Sequence, residues 1–276
     1  MKKDIIKADG KKEPYDEEKI TSSFRKAGAS PEIAGKAAKT INKKIKHNMS
    51  TDEIHHKALS HLKTLEPRVA LKYSLKRAIM NMGPEGYVFE KYIARILREH
   101  GFTTEVGQII KGYCVEHEVD VLAKKASKTC FIECKYHNSP GIKSDIKTAL
   151  YIHSRFLDIE KARRVKDNDN TPLESWLVTN TKCTSDAVKY SNCVGLKVLA
   201  WHYPRRENLQ YFIETKNLYP ISILSTITER QKEKLFDSDI ILIKELINYN
   251  TNNLSDLISV SREAALKILD EAGIIS

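Results

Sequence analysis

Two carboxylates and a lysine stand where charge is costly, inside runs that read as β-strands. Asp120 lies in EHEVDVLAKK (116–125), and twelve residues separate it from Glu133-Cys134-Lys135, within KTCFIECKY (128–136). Side chains alternate along a strand, so Glu133 and Lys135 share one face and Cys134 takes the other. Hairpin-like spacing lets Asp120 meet Glu133 across a ladder. Two such carboxylates can hold Mg²⁺ or Mn²⁺ through oxygen ligands. With an ammonium beside them they can polarise a phosphodiester and orient or deprotonate a water. Glu90, ahead of the strands, offers a third carboxylate, and Glu118, on the same face as Asp120, competes as a ligand. His117 and His137 flank the set; phosphate contact is open to them, but exposure to solvent is the expectation. A plain cross-strand ion pair would use the same residue types. Charges in mid-strand cost free energy unless paired or metal-bound, which tilts the reading toward a metal site.

Periodicity supplies the elements that would position these groups. Gly83-Pro84 is the strongest break in the chain. After it, EGYVFEKYIARILREHG (85–101) reads as an amphipathic helix with Val88, Tyr92, Ile96 and Leu97 inward and Gly101 as its stop. Three strand-like runs follow at 103–110, 116–125 and 128–136, then a helix over roughly 142–164. A polar loop (166–174), a buried strand (175–181), a short capped helix (185–195) and a last strand (196–202) complete an αβββαβαβ order. That order predicts an α/β fold with a mixed sheet. Ahead of the break, strands at Asp4–Lys7 and Glu13–Tyr15 flank a turn at Asp9-Gly10. Helices are then predicted from the Asp16 cap, from Pro31 to Lys46, from the Ser50-Thr51 capping box, and from Arg68 to Met80. Beyond Tyr219 the pattern gives three or four short helices. The expected domains are 1–82, mainly helical; 83–219, the α/β core; and 220–276, a small helical segment.

Composition limits the partners. The 276 residues carry a net charge of +10. It is +9 over residues 1–83 (19 Lys+Arg against 10 Asp+Glu), +4 over 84–220 (21 against 17) and −3 over 221–276 (6 against 9). A basic front and middle suit a polyanion, whether nucleotide phosphates or a nucleic-acid backbone, although a solvated basic surface has the same composition. No apolar run is long enough to span a bilayer and the first residues do not read as a secretory signal, so a cytoplasmic protein without membrane association is expected. Cys114, Cys130, Cys134, Cys183 and Cys193 have neither disulfide-framework nor zinc-finger spacing and read as reduced thiols.

Two family resemblances sharpen this reading. The stretch from Gly83 to about Ile213, through GYVFEKYIARILREHGF, HEVDVLA, FIECKYHN and WLVTNTKCTSDAVKYSNCVGLKVLAW, resembles the PD-(D/E)xK nuclease superfamily, and within it the Mrr-like restriction endonucleases. The resemblance implies a restriction-endonuclease-like core acting on DNA. Asp120 and Glu133 would be the metal ligands, Lys135 the catalytic lysine and Glu90 the helix carboxylate. Residues 3–80, through IKADGKKEPYDEEKI, MSTDEIHHKAL and VALKYSLKRA, resemble the ATP-cone domain, best known as a nucleotide sensor of ribonucleotide reductases. This implies ATP or dATP as an effector, with Lys7, Glu13, Lys19, Thr51, His55 and Arg77 at functional positions. Ala8 departs from the basic residue usual there. No Walker A loop is found, so ATP is not expected as fuel. The C-terminal run vaguely resembles a helix-hairpin-helix module, with Val260-Ser261-Arg262 in place of its glycines. The expectation is thus a metal-dependent DNA endonuclease regulated by adenine nucleotide, forming a homo-oligomer, in the first instance a dimer. A nucleotide-sensing DNA-binding regulator with an inactive core is the alternative, and an RNA nuclease a third.

Overall fold

A computed structural model describes residues 3–7, 10–166 and 171–276, which form a mixed α/β protein. Ala8, Asp9 of the expected turn and most of the polar loop after Lys166 lie outside the described residues. Contacts divide the chain after Ala78 into two compact units.

In the first unit, β1 (Asp4–Ile6) pairs antiparallel with β2 (Lys12–Pro14) and parallel with β3 (Met49–Ser50). Four helices follow the strand signals: α1 (Glu17–Lys26), α2 (Pro31–Lys44), α3 (Thr51–Leu65) and α4 (Pro67–Met80). The starts of α1, α2 and α3 are set by side chains that satisfy orphan backbone donors. Asp16 accepts from Glu18 N–H (2.9 Å), Ser30 caps α2 ahead of Pro31, and Ser50 and Glu53 close a reciprocal capping box. Phe24, Ile41 and Leu62 are fully buried against Ala34, Ala37, Ala38 and Ala58, whose small side chains let the helices pack closely.

The second unit opens with α5 (Tyr87–Glu99), followed by β4 (Thr103–Lys111), β5 (Glu116–Lys125) and β6 (Lys128–Lys135) in an antiparallel meander. Next come β7 (Lys143–Ser144), α6 (Ile146–Lys166), β8 (Leu173–Thr179), β9 (Lys182–Cys183), α7 (Ser185–Val194) and β10 (Lys197–Leu199). The five-stranded sheet has the order β10-β8-β6-β5-β4, with β6, β8 and β10 parallel because helices make the crossovers. This is the expected mixed sheet. The helix predicted from about residue 142 starts later, at Ile146: Lys143 and Ser144 are drawn instead into a two-stranded ladder with Lys182 and Cys183. α5 packs on β4, β5 and β6, and α6 on β4, β8 and α7. Ile159 of α6 is buried with Val119, Leu122 and Phe131 of the sheet.

The C-terminal residues join this same unit. α8 (Leu209–Glu214), a short 3-10 turn (Ile221–Ile223), α9 (Glu229–Asp237), α10 (Ile243–Leu246), α11 (Thr251–Ile258) and α12 (Arg262–Ile275) complete it. Three residues of α5 hold the C-terminal segment. Lys91 pairs with Asp239 (2.9 Å), Arg95 with Asp239 (2.6 Å) and Glu245 (2.7 Å), and Glu99 with Lys244. The hydroxyl of fully buried Tyr92 donates to Leu218 O (2.8 Å).

Candidate functional site

The β5–β6 ladder pairs as far as Val121 with Ile132, and Asp120 and Glu133 stand one step beyond. There a side chain takes over the role of the ladder: Asp120 Oδ2 accepts the N–H of Cys134 at 2.7 Å. On the other side of β5 the register skips Gly107 and Asp120, and Gly107 adopts φ +64°, a conformation that a residue with a Cβ rarely takes. Asp120 therefore sits at an interruption of the sheet, which frees its carboxylate from strict alternation.

Glu133 is 8% exposed and engaged at both oxygens, by Lys135 Nζ (2.6 Å) and by Arg155 of α6, which also donates to Glu118 O. Burial opposes the Lys135 ammonium, but the bond to Glu133 and the charges of Glu133 and Asp120 together outweigh it and raise its pKa. The two remaining acids lack that compensation. Burial, then the charge of Glu133, pushes Asp120 up to about 6. Burial, then Asp120, Glu118 and Glu133, pushes Glu90 up to about 7. Asp120, Glu133, Lys135 and Glu90 thus form one electrostatic cluster.

Among the described residues no three His, Cys, Asp or Glu side chains form a ready metal cage. The donor chemistry nevertheless suits a hard divalent cation. Mg²⁺ is commonly held by one or two carboxylates together with water and substrate phosphate, and such an ion would offset both the burial and the neighbouring carboxylates that raise Asp120 and Glu90.

Both flanking histidines depart from the expected exposure. His117 is 11% exposed and pairs with Asp158 of α6 at 2.8 Å. Asp158 also accepts from Cys114 N–H (2.9 Å) and Val115 N–H (3.3 Å), and these bonds, His117's first, hold its carboxyl well below the usual range. His137 is clamped by fully buried Asn180, which accepts from its N–H (2.9 Å) and donates to its carbonyl (2.8 Å). Burial and then Lys135 lower the His137 pKa, so a neutral imidazole lies at the edge of the cluster. Arg155, Asp158 and Asn180 were missed from sequence. Arg155 alone left a signal, a charge on the inward stripe between buried Ile152 and Ile159.

In the first unit, Glu13 bridges Lys7 (2.9 Å) and Lys19 (3.3 Å), and these bonds, that of Lys7 foremost, lower its pKa. Ile6 pairs with Ser50, so Lys7 and Thr51 follow side by side at the same end of the small sheet. Arg77 pairs with Asp52, one residue further on. The His55 ring stacks on Tyr73, with centroids 4.6 Å apart and planes at 17°. Burial, then Arg77, depresses His55 to about 3, and its Nε2 is buried without a hydrogen-bond partner, as is the Tyr15 hydroxyl. Basic groups paired with carboxylates, and buried polar atoms without a hydrogen-bond partner among the described residues, thus occur together in this domain.

These features define a mixed α/β core with an acidic cluster at the end of two central strands, preceded by a small basic domain of three strands and four helices. Residues 3–81 match the ATP cone domain, in agreement with the resemblance seen in the sequence, and residues 219–275 match the C-terminal domain described as AF1548-like. An uncharacterized protein of Archaeoglobus fulgidus is 36% identical over 180 residues, covering 65% of this chain and 97% of the relative. A crystal structure of the protein of unknown function AF1548 aligns with a TM-score of 0.59 and 35% identity, over 69% of this chain and 98% of that one. The chain belongs to the AF1548-like family.

Proposed function

We propose that the second unit is a divalent-metal-dependent nuclease acting on DNA and that the ATP cone domain tunes it by binding ATP or dATP. The observation that carries the reading is the cluster at the end of β5 and β6, where Asp120 and Glu90 share excess negative charge beside Lys135 and Glu133. The order of these residues and their resemblance to Mrr-like restriction endonucleases support it. Asp120 and Glu133 would hold Mg²⁺ or Mn²⁺, with Glu90 beside them; the ion when bound supplies Lewis acidity toward a phosphodiester. Lys135 would leave Glu133 to stabilise charge on the phosphate. Arg155 would keep Glu133 oriented through that exchange. The neutral imidazole of His137, whose backbone is held by Asn180 and whose Nε2 lies 3.3 Å from Ser144 Oγ, would border the phosphate without adding charge.

For the effector, Lys7, Lys19 and Arg77 would neutralise phosphates, Thr51 would donate at the start of α3, and Glu13 would accept from the sugar or base once its lysines turn to phosphate. The buried Nε2 of His55 would find its partner in the nucleotide.

One observation favours a second reading, a nucleotide-sensing DNA-binding regulator with an idle core: both oxygens of Glu133 are already held by cations of the chain. Cleavage of plasmid, methylated plasmid, and single-stranded and branched DNA with Mg²⁺ or Mn²⁺, with and without ATP and dATP, separates the two. Cutting by the native protein and none by Lys135→Ala supports the nuclease. Nucleotide-dependent DNA binding with no cutting under any condition selects the regulator.

A further inference from the structure

The tip of the β4–β5 hairpin is fixed to α6 far more firmly than a solvent-facing turn needs. Tyr113 N–H donates to Asp158 O (3.0 Å), and the Asp158 carboxylate takes Cys114 N–H, Val115 N–H and the His117 ring. Lys166 Nζ donates to the carbonyls of Gly112 and Tyr113, both at 3.2 Å. Gly112 is required by the close approach, since a Cβ there would run into the Asp158 carboxylate and lie 2.5 Å from Val115 O. These bonds hold Tyr113, 40% exposed, with Lys161 over its ring at 3.8 Å and Lys166 at 5.3 Å.

The same pairing recurs nearer the acidic cluster. Tyr151 of α6 is 55% exposed, and Arg155, which holds Glu133, lies over its ring at 5.1 Å. Ten residues of helix from Tyr151 to Lys161 span about 15 Å, a length of a few nucleotides. Exposed aromatic faces backed by cations are what unpaired bases and their phosphates stack on and pair with, whereas the bases of a duplex are already stacked.

We propose that α6 and the hairpin tip form a track for single-stranded nucleic acid leading to the acidic cluster, so that the substrate is a single strand or a frayed or branched end rather than intact duplex. This deepens the nuclease reading, and binding measured without divalent cation separates its failure from a failure of catalysis. The test is fluorescence anisotropy of the full chain, in EDTA, with labelled 12-nucleotide oligo-dT, 12-nucleotide oligo-U and a 12-base-pair duplex. Oligo-dT should bind more tightly than the duplex. Tyr113→Ala and Tyr151→Ala should each weaken it about fivefold or more, and Tyr113→Phe should restore it, because both tyrosines lie at the surface and only the ring is needed. Binding of oligo-U, equal or weaker, supports stacking and sets the sugar preference. Duplex binding as tight as oligo-dT, or oligo-dT affinity indifferent to both alanine variants, overturns the proposal.

Discussion

Replacing Asp120 by Asn should stabilise the metal-free protein while removing its gain from divalent cations. The substitution keeps an oxygen for the Cys134 N–H and removes the charge that burial and Glu133 disfavour. A carboxyl raised from 3.8 to about 6 costs the folded state about 3 kcal/mol at neutral pH, at about 1.4 kcal/mol per pH unit, and partial exposure brings this to roughly 1–2 kcal/mol. The folded state keeps a proton that the unfolded chain has released, so stability falls as pH rises from about 4 to about 6, and Glu90 extends the fall to about 7. The gain from Asp120→Asn should therefore be full at pH 8 and vanish near pH 4. Urea denaturation read by tryptophan fluorescence suits the measurement, because Trp176 and Trp201 both lie in the second unit. Mg²⁺ or Mn²⁺ at ten times its dissociation constant should add about 1.4 kcal/mol to the native protein and little to the variant. A variant less stable than native at pH 8, or the same cation gain in both, would mean that Asp120 is a compensated structural acceptor and the argument from excess charge is wrong.

Gly112→Ala should destabilise the second unit by about 1–3 kcal/mol, since the added carbon forces Asp158 off the hairpin; a loss below about 0.5 kcal/mol in the same denaturation assay would contradict the packing described. His55 is neutral in the folded first unit, with a pKa of about 3, while the unfolded chain takes up a proton below about 6.5. Stability should then be lost as pH falls from about 6.5 toward 3, and His55→Phe, which keeps the stack on Tyr73, should flatten that slope in circular-dichroism melts; an unchanged slope would point to another group. Changing Lys7 and Lys19 together to Met should weaken ATP and dATP binding by calorimetry at least tenfold, given about 1.5–3 kcal/mol for a charge-assisted hydrogen bond; undiminished affinity would place the phosphates elsewhere.

The sequence disclosed what local rules govern. Asp16, Ser30 and Ser50 announce helix starts, and the mixed sheet follows from the alternation of strand and helix patterns. That Asp120 and Glu133 would stand at the same end of the β5–β6 hairpin was readable because hairpin register is set by spacing. What stayed hidden depends on where ladders stop and on distant partners. That Asp120 turns its carboxylate onto Cys134 N–H follows from the ladder ending at Val121, which no spacing specifies. His117 looked exposed because its partner Asp158 lies 41 residues away on a helix that docks only in the fold. Arg155 is a different case: its place on the inward stripe of α6 was visible, but nothing in the sequence said which acid it would meet.

The sequence marks residues 220–276 as a small helical segment, and one stripe of α5 shows how it is tied to the rest of the second unit. Lys91, Arg95 and Glu99 recur every four residues, so they share one face of that helix, and each is paired with Asp239, Lys244 or Glu245 of the C-terminal segment. The next residue back from Lys91 is Glu90, whose carboxyl belongs to the acidic cluster. Four ion pairs made by three residues on one side of this helix fix its rotation about its own axis, and Tyr92, bonded to Leu218 O, fixes its depth. Acidic residues of the C-terminal segment thus have a use within the molecule: Asp239 and Glu245 are the counterparts of Lys91 and Arg95, on the helix that carries Glu90.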